Sequence, residues 1–122
     1  MAQFVLVVDD DERFRDLARR LLESCGYASG GDAGNVAEAL RCAVASRPDV
    51  ALVDIGLPDS DGLELSRQLT GAPYRVRVVL ISADSDATSA EEAAAAGADG
   101  FIPKSELSCS TLRSIIGDGQ GW

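Results

Sequence analysis

The sequence predicts a single α/β domain: a five-stranded parallel sheet covered by helices on both faces. Three observations predict it. Short apolar runs alternate five times with helical segments along 122 residues, which is the pattern of strand–helix–strand crossovers of right-handed sense. The runs at 4–8, 50–53 and 76–81 are apolar without a period of two, as expected of strands buried on both faces. Each run then breaks off at a polar or charged residue.

Phe4-Val5-Leu6-Val7-Val8 is the first strand and leads into Asp9-Asp10-Asp11-Glu12. Phe14, Leu17, Ala18, Leu21 and Leu22 recur at helical spacing behind it, with charged residues opposite. Asp11 and Glu12 suit the positive end of that helix, and Cys25-Gly26 ends it. Residues 27–33 have poor strand propensity, yet the alternation needs an element there, so a short edge strand is expected. Asn35 is an expected N-cap for a second helix carrying Val36, Ala39, Leu40, Ala43 and Val44, which Pro48 closes. The third strand runs to Asp54, and Gly56, Pro58 and Asp59-Ser60-Asp61-Gly62 force a loop.

Leu63, Leu65, Ser66 and Leu69 fit a third helix stopped by Gly71 and Pro73. The fourth strand ends at Ser82-Ala83, and an alanine-rich helix is expected over 84–96, terminated by Gly97. A short fifth strand at 100–103 ends at Lys104. Ser105 is the expected cap of a last helix bearing Leu107, Leu112, Ile115 and Ile116. Residues 117–122 are glycine-rich and have the composition of a flexible tail.

The bulk properties narrow the function. A formal charge of −9 argues against nucleic-acid binding by this domain alone, because phosphate neutralisation needs basic clusters. No apolar run approaches the roughly 20 residues that span a bilayer, and no signal peptide is expected. A cytoplasmic location follows as the expectation. Cys25, Cys42 and Cys109 are widely spaced, and the expected state of all three is a reduced thiol packed as a small apolar group. With no histidine in the chain, histidine general-base catalysis and a phosphohistidine-carrier role are excluded.

The chemistry-bearing residues fall just beyond strand ends: Asp9 and Asp10, Asp54, Ser82, and Lys104. In open α/β sheets ligands bind outside those carboxyl ends, where the strand order reverses. The flavodoxin-like class has this element count and the order 2-1-3-4-5, which by analogy puts the reversal between strands 1 and 3. Two carboxylates about 4 Å apart repel by roughly 4 kcal/mol at an effective dielectric near 20, so a cluster of them calls for a cation. Hard oxygen donors suit Mg²⁺, or Mn²⁺, together with a phosphate. Lys104, the only lysine, offers a compact ammonium, and Ser82 a hydroxyl donor. Asp54 is then placed as a carboxylate nucleophile able to carry phosphate.

These residues resemble the receiver domains of two-component response regulators over residues 3–116. The resemblance is carried by Val-Val-Asp9-Asp10-Asp11, by Asp54-Ile-Gly-Leu-Pro58-Asp-Ser-Asp-Gly62, by Ser82-Ala83, and by Ala-Gly-Ala-Asp-Gly-Phe101-Ile-Pro-Lys104. It implies a receiver over 1–116 with a tail at 117–122. Asp54 would accept phosphate from the phosphohistidine of a histidine kinase or phosphotransfer protein. Asp10, Asp54 and the Gly56 carbonyl would ligate Mg²⁺, with Asp9 acting through a metal-bound water. Ser82 and Lys104 would contact the phosphoryl group, and Phe101 would change rotamer as the switch moves. The face formed by helix 4, strand 5 and helix 5 would be read by partners. Such a domain catalyses only its own phosphorylation and dephosphorylation.

The chain departs from the family pattern in three places. Pro103 precedes the lysine where a proline usually follows it, and the Phe-Ile-Pro-Lys-Ser wording is similar to receivers joined to helix-turn-helix output domains. Gly56 and Asp84 occupy the two positions that tune dephosphorylation in the family. Two other classes compete. A haloacid-dehalogenase-like phosphohydrolase wants an Asp two residues after the nucleophile, where this chain has Gly56. A phosphorylation-independent interaction module would keep the fold without the chemistry, against which Asp10, Asp54 and Lys104 all stand.

Overall fold

A computed structural model describes residues 3–59 and 61–117. The sheet contains β1 (Phe4–Val8), β2 (Ala28–Ala33), β3 (Val50–Asp54), β4 (Arg77–Ser82) and β5 (Gly100–Pro103), all parallel, in the order β2-β1-β3-β4-β5. The helices are α1 (Glu12–Ser24), α2 (Val36–Ser46), α3 (Gly62–Thr70), α4 (Ala90–Ala95) and α5 (Cys109–Ile116). The order reverses between β1 and β3, so the crevice opens between the strand that leads into Asp9 and the strand that ends in Asp54.

Successive residues of the central strands feed two separate cores, which is why the strands read as unbroken apolar runs. Leu6, Val8, Ala51, Val53, Val78 and Leu80 pack with residues of α2, α3 and α4 on one face. Val5, Val7, Val50, Leu52, Val79 and Ile81 pack with residues of α1 and α5 on the other. Burying each such leucine fully contributes about 1.5–3 kcal/mol before cavity effects. Both cores tighten the strands whose ends carry the polar residues.

The weak edge strand has a local cause. Gly31 sits at φ +101, and the pairing of β1 with β2 shifts register between Val5 and Val7. Only glycine adopts that backbone cheaply, so the strand gives up propensity to make the bulge. Asn35 caps α2 as expected, accepting the Glu38 amide at 2.9 Å.

Three expectations need correction. The fourth helix begins at Ala90, not near residue 84. The Asp84 amide donates to Ser82 Oγ at 3.1 Å and the Asp86 amide to Asp84 Oδ1 at 2.9 Å, so local side-chain acceptors hold 82–86 in a turn that competes with helix. Ser89 then caps α4 in a capping box with Glu92. Likewise Ser105 caps nothing: Lys104–Glu106 is a single 3₁₀ turn, and Ser108 caps α5 with Thr111 as its box partner. Cys25 and Cys109, expected as thiols, are joined as a disulfide between the end of α1 and the start of α5. The fold brings these two residues together across 84 positions, a proximity that spacing alone does not reveal. Cys42 is a free thiol. Of the predicted tail, 118–122 lie outside the described residues, and among the described residues no helix is long and apolar enough to cross a membrane.

Candidate functional site

Asp9 follows β1 and is fully buried, with Asp10 beside it exposed to solvent. Asp54 is the last residue of β3 and is 8% exposed. One carboxylate oxygen from each of Asp9, Asp10 and Asp54 lies within 4.8 Å of the others. Lys104, directly after β5, reaches across to them: its Nζ is 2.5 Å from Asp9 Oδ2 and 3.6 Å from Asp54 Oδ2. All the strands run parallel, so the carboxyl ends of β1, β3 and β5 lie along one edge of the sheet and the long Lys104 side chain spans the distance to the acids.

The backbone fixes the carboxylates. Asp9 Oδ1 accepts the Asp11 amide at 2.9 Å, while Asp11 in turn caps α1 by accepting the Arg13 amide at 3.0 Å. Asp54 Oδ1 accepts the Gly56 amide at 3.2 Å. The loop after Asp54 folds back through Gly62, whose amide donates to the Ile55 carbonyl at 2.7 Å. A Cβ at Gly62 would meet the Asp54 carbonyl oxygen at 2.3 Å, so only glycine lets α3 start so close under the acidic residue. At Gly56 the situation is opposite: a Cβ there meets nothing within 4 Å.

The electrostatics express a cluster short of positive charge. Asp9 titrates above its ordinary value, chiefly because burial disfavours its charged form; Lys104 and the Asp11 amide offset this only partly, and Asp54 adds to it. Burial alone would pull the Lys104 ammonium down, but Asp9 and Asp54 together outweigh it and its pKa is raised. One lysine against three carboxylates leaves the set anionic. The hard oxygen donors, their mutual proximity and this unmet charge fit a divalent cation such as Mg²⁺.

Ser82 ends β4, next to Asp54 along the sheet: Asp54 pairs with Ile81. Its hydroxyl accepts the Asp84 amide, and Asp84 turns its carboxylate onto the Asp86 amide in an exposed loop. Phe101 lies on β5 opposite Leu80, half-buried, and lines a cleft of about 270 Å³ with Ala90, Ala93 and Ala94 of α4 and Ala98 of the loop that follows it. The structure therefore assembles Asp9, Asp10, Asp54 and Lys104 in direct proximity and places Ser82 and Phe101 on the adjoining strands.

Two neighbours carry no sequence motif. The Phe14 ring of α1 lies under the Lys104 ammonium at 4.3 Å from its centroid, a cation–π contact that steers the lysine toward the acids. Arg15 Nη1 donates to the Asp9 carbonyl at 2.6 Å while its Nε pairs with Asp32 at 2.9 Å. The helical spacing put Phe14 on the apolar face of α1 and the charged residues opposite, but the contacts of the ring with Lys104 and of Arg15 with the Asp9 carbonyl carry no sequence signal.

A parallel sheet with an acidic cluster and a lysine at the reversal of its strand order defines a receiver-type domain. The model of the response regulator receiver domain matches residues 5–116, and the chain belongs to that family of two-component systems. Among relatives, the DNA-binding transcriptional activator DevR/DosR of Mycobacterium tuberculosis is 34% identical over 121 residues, covering 96% of this chain and 54% of its own length. The chain spans about half or less of the curated relatives it matches. The signal receiver domain of the response regulator NarL from Mycobacterium tuberculosis superposes with a TM-score of 0.83 at 30% identity, covering 99% of this chain and 98% of that one. A Burkholderia pseudomallei response regulator solved with a phosphorylated aspartic acid, a calcium ion and citrate gives a TM-score of 0.81 at 30% identity, covering 97% and 69%.

Proposed function

We propose that the chain is a phosphorylation-controlled switch in which Asp54 takes a phosphoryl group from a phosphohistidine of a histidine kinase or phosphotransfer protein. The observation that carries the reading is the Lys104 ammonium held 2.5 Å from Asp9 and 3.6 Å from Asp54, over three carboxylates at one strand-end crevice. An Asp54 oxygen attacks phosphorus, the bond from phosphorus to the donor imidazole breaks, and an acyl phosphate forms. Lys104 turns from Asp9 toward the new phosphoryl oxygens, and the Ser82 hydroxyl, freed from the Asp84 amide, donates to another. Asp10, Asp54 and the Gly56 carbonyl would hold Mg²⁺, with Asp9 acting through water, and a bound ion would supply positive charge against the acids and the phosphoryl oxygens. Hydrolysis is the reverse in outcome: water attacks phosphorus, the bond to Asp54 breaks, and inorganic phosphate leaves.

Movement of Ser82 opens space toward which Phe101 turns, and the α4–β5–α5 face changes for a downstream protein or an output domain beyond this chain. A helix-turn-helix output is favoured by the Phe101-Ile-Pro-Lys-Ser wording and by the DNA-binding relative. We take the receiver as residues 1–116 and place it in the cytoplasm, where phosphohistidine donors act. The domain has no substrate beyond its own phosphoryl group.

The test is intact mass after acetyl phosphate, with and without Mg²⁺, beside Asp54→Asn. One phosphoryl adduct that needs Mg²⁺ and disappears in the variant is expected. No adduct at short times, together with no Mg²⁺-dependent beryllofluoride binding, would overturn the reading in favour of a docking module without phosphotransfer.

A further inference from the structure

Two cysteines outside the acidic crevice meet although 84 positions separate them. Cys25 is the C-cap of α1, Cys109 the first residue of α5, and their Cα atoms lie 5.5 Å apart, within the span a bridge requires. The phosphoryl chemistry uses neither. Their bond sits instead on the chain that leaves the crevice: after Lys104 comes one 3₁₀ turn, and Cys109 then opens α5. Weaker ties run along the same seam. Arg113 Nη2 donates to the Cys25 carbonyl at 3.1 Å, the Tyr27 hydroxyl to the Gly117 carbonyl at 2.6 Å, and Gln3 Nε2 to the Ile116 carbonyl at 3.0 Å.

We infer that Cys25 and Cys109 form a reversible thiol–disulfide modification site that takes a disulfide oxidant, and that its oxidised form pins α5 to the end of α1. In the cytoplasm, where we place the chain, thiols are kept reduced, so a bridge there responds to oxidant rather than standing as a permanent brace. Cys109 is the point of entry: it is partly exposed and is the first residue of α5. Cys25, 3% exposed, resolves.

The Cys109 thiolate attacks one sulfur of the oxidant and expels a thiolate; Cys25, losing its proton, attacks the Cys109 sulfur of the mixed disulfide and expels the second. Two electrons and two protons leave the protein, and the oxidant becomes two thiols. Cys42 takes no part: burial foremost, then Asp32 and Glu38, push its thiol up, and it lies on α2.

Rearrangement of the α4–β5–α5 face must displace α5 against this covalent tie when the pair is oxidised. That consequence rests on the phosphoacceptor reading; the chemistry of the pair does not.

The full chain carrying Cys42→Ser is equilibrated over a series of glutathione to glutathione-disulfide ratios, quenched in acid, alkylated and weighed intact. The expected result is one step between two alkylated cysteines and none. Amide exchange over 109–116 should be about tenfold faster in the reduced form, and beryllofluoride should change it further only there. Cys25→Ser and Cys109→Ser should each match the reduced parent.

Two alkylated thiols at every ratio, no alkylation at any ratio, or equal exchange in both forms overturns the inference. Acetyl phosphate is applied to both forms in parallel. An adduct in both with equal exchange defeats the cysteine inference alone. No adduct in either, with the thiol step intact, defeats the phosphoacceptor reading alone.

Discussion

Asp9 is the residue at which fold and chemistry conflict most. Its folded pKa lies above the unfolded value, so the neutral form is favoured in the native state. The sign follows by linkage: stability falls as pH rises from the unfolded value through the raised folded value, and the full penalty remains above it. Asp9→Asn in EDTA should therefore raise the melting temperature near pH 7, by about 4 °C for an effect of the order of 1 kcal/mol. The gain should shrink toward zero near pH 3; a lower melting temperature at pH 7 would mean that the Lys104 pairing outweighs burial.

Gly56 has open space where a side chain would stand, and Asp84 spends its carboxylate on its own loop. On the proposed function, Gly56→Asn adds an amide able to orient water and should speed decay of the phosphorylated form, while Asp84→Ala would remove a negative charge two residues beyond Ser82. Each should change the decay rate by about tenfold, read by loss of the mass adduct. Unchanged rates in both would show that neither position governs lifetime. The gathering of Asp9, Asp54 and Lys104 at one crevice could be anticipated from strand-end position, since a parallel sheet brings its carboxyl ends to one edge. Phe14 and Arg15 could not, because helical periodicity assigns a face but not the contact a ring or guanidinium makes across it.

Among the elements, helix caps separate what sequence patterns could and could not supply. Strand runs and apolar helix faces were legible, because burial on both sides of the sheet writes itself as hydrophobicity. Helix starts were less so: Asp84-Ser-Asp86 offers side-chain acceptors that hold a turn, and Ser105, the expected cap, gives way to Ser108 three residues on. What decides between the serines is Thr111, which gives Ser108 a reciprocal partner while Ser105 lies exposed in the 3₁₀ turn. Ser108→Ala should cost about 1 kcal/mol, whereas Ser105→Ala should stay within about 0.5 kcal/mol. Thermal unfolding of the two variants checks this. Equal losses would mean that the 3₁₀ turn and α5 behave as one capped helix.

At the level of the whole molecule, a charge of −9 sets self-repulsion against compaction, and part of that charge is concentrated in the acidic crevice. General repulsion and the local cluster respond differently to salt. Sodium chloride screens exposed charges over a Debye length of about 10 Å at 0.1 M, but screens buried pairs much less. The melting temperature should rise modestly with sodium chloride in wild type and in Asp54→Asn alike. Mg²⁺ at matched ionic strength should raise wild type further, because a ligand that binds only the folded state stabilises it, by about 2.7 kcal/mol at a hundred times its dissociation constant. In Asp54→Asn that extra rise should largely vanish, since one of the three carboxylates is gone. If Mg²⁺ and sodium chloride act equally in wild type, the crevice does not gather a cation, and its acids are held together by Lys104 and the two cores alone.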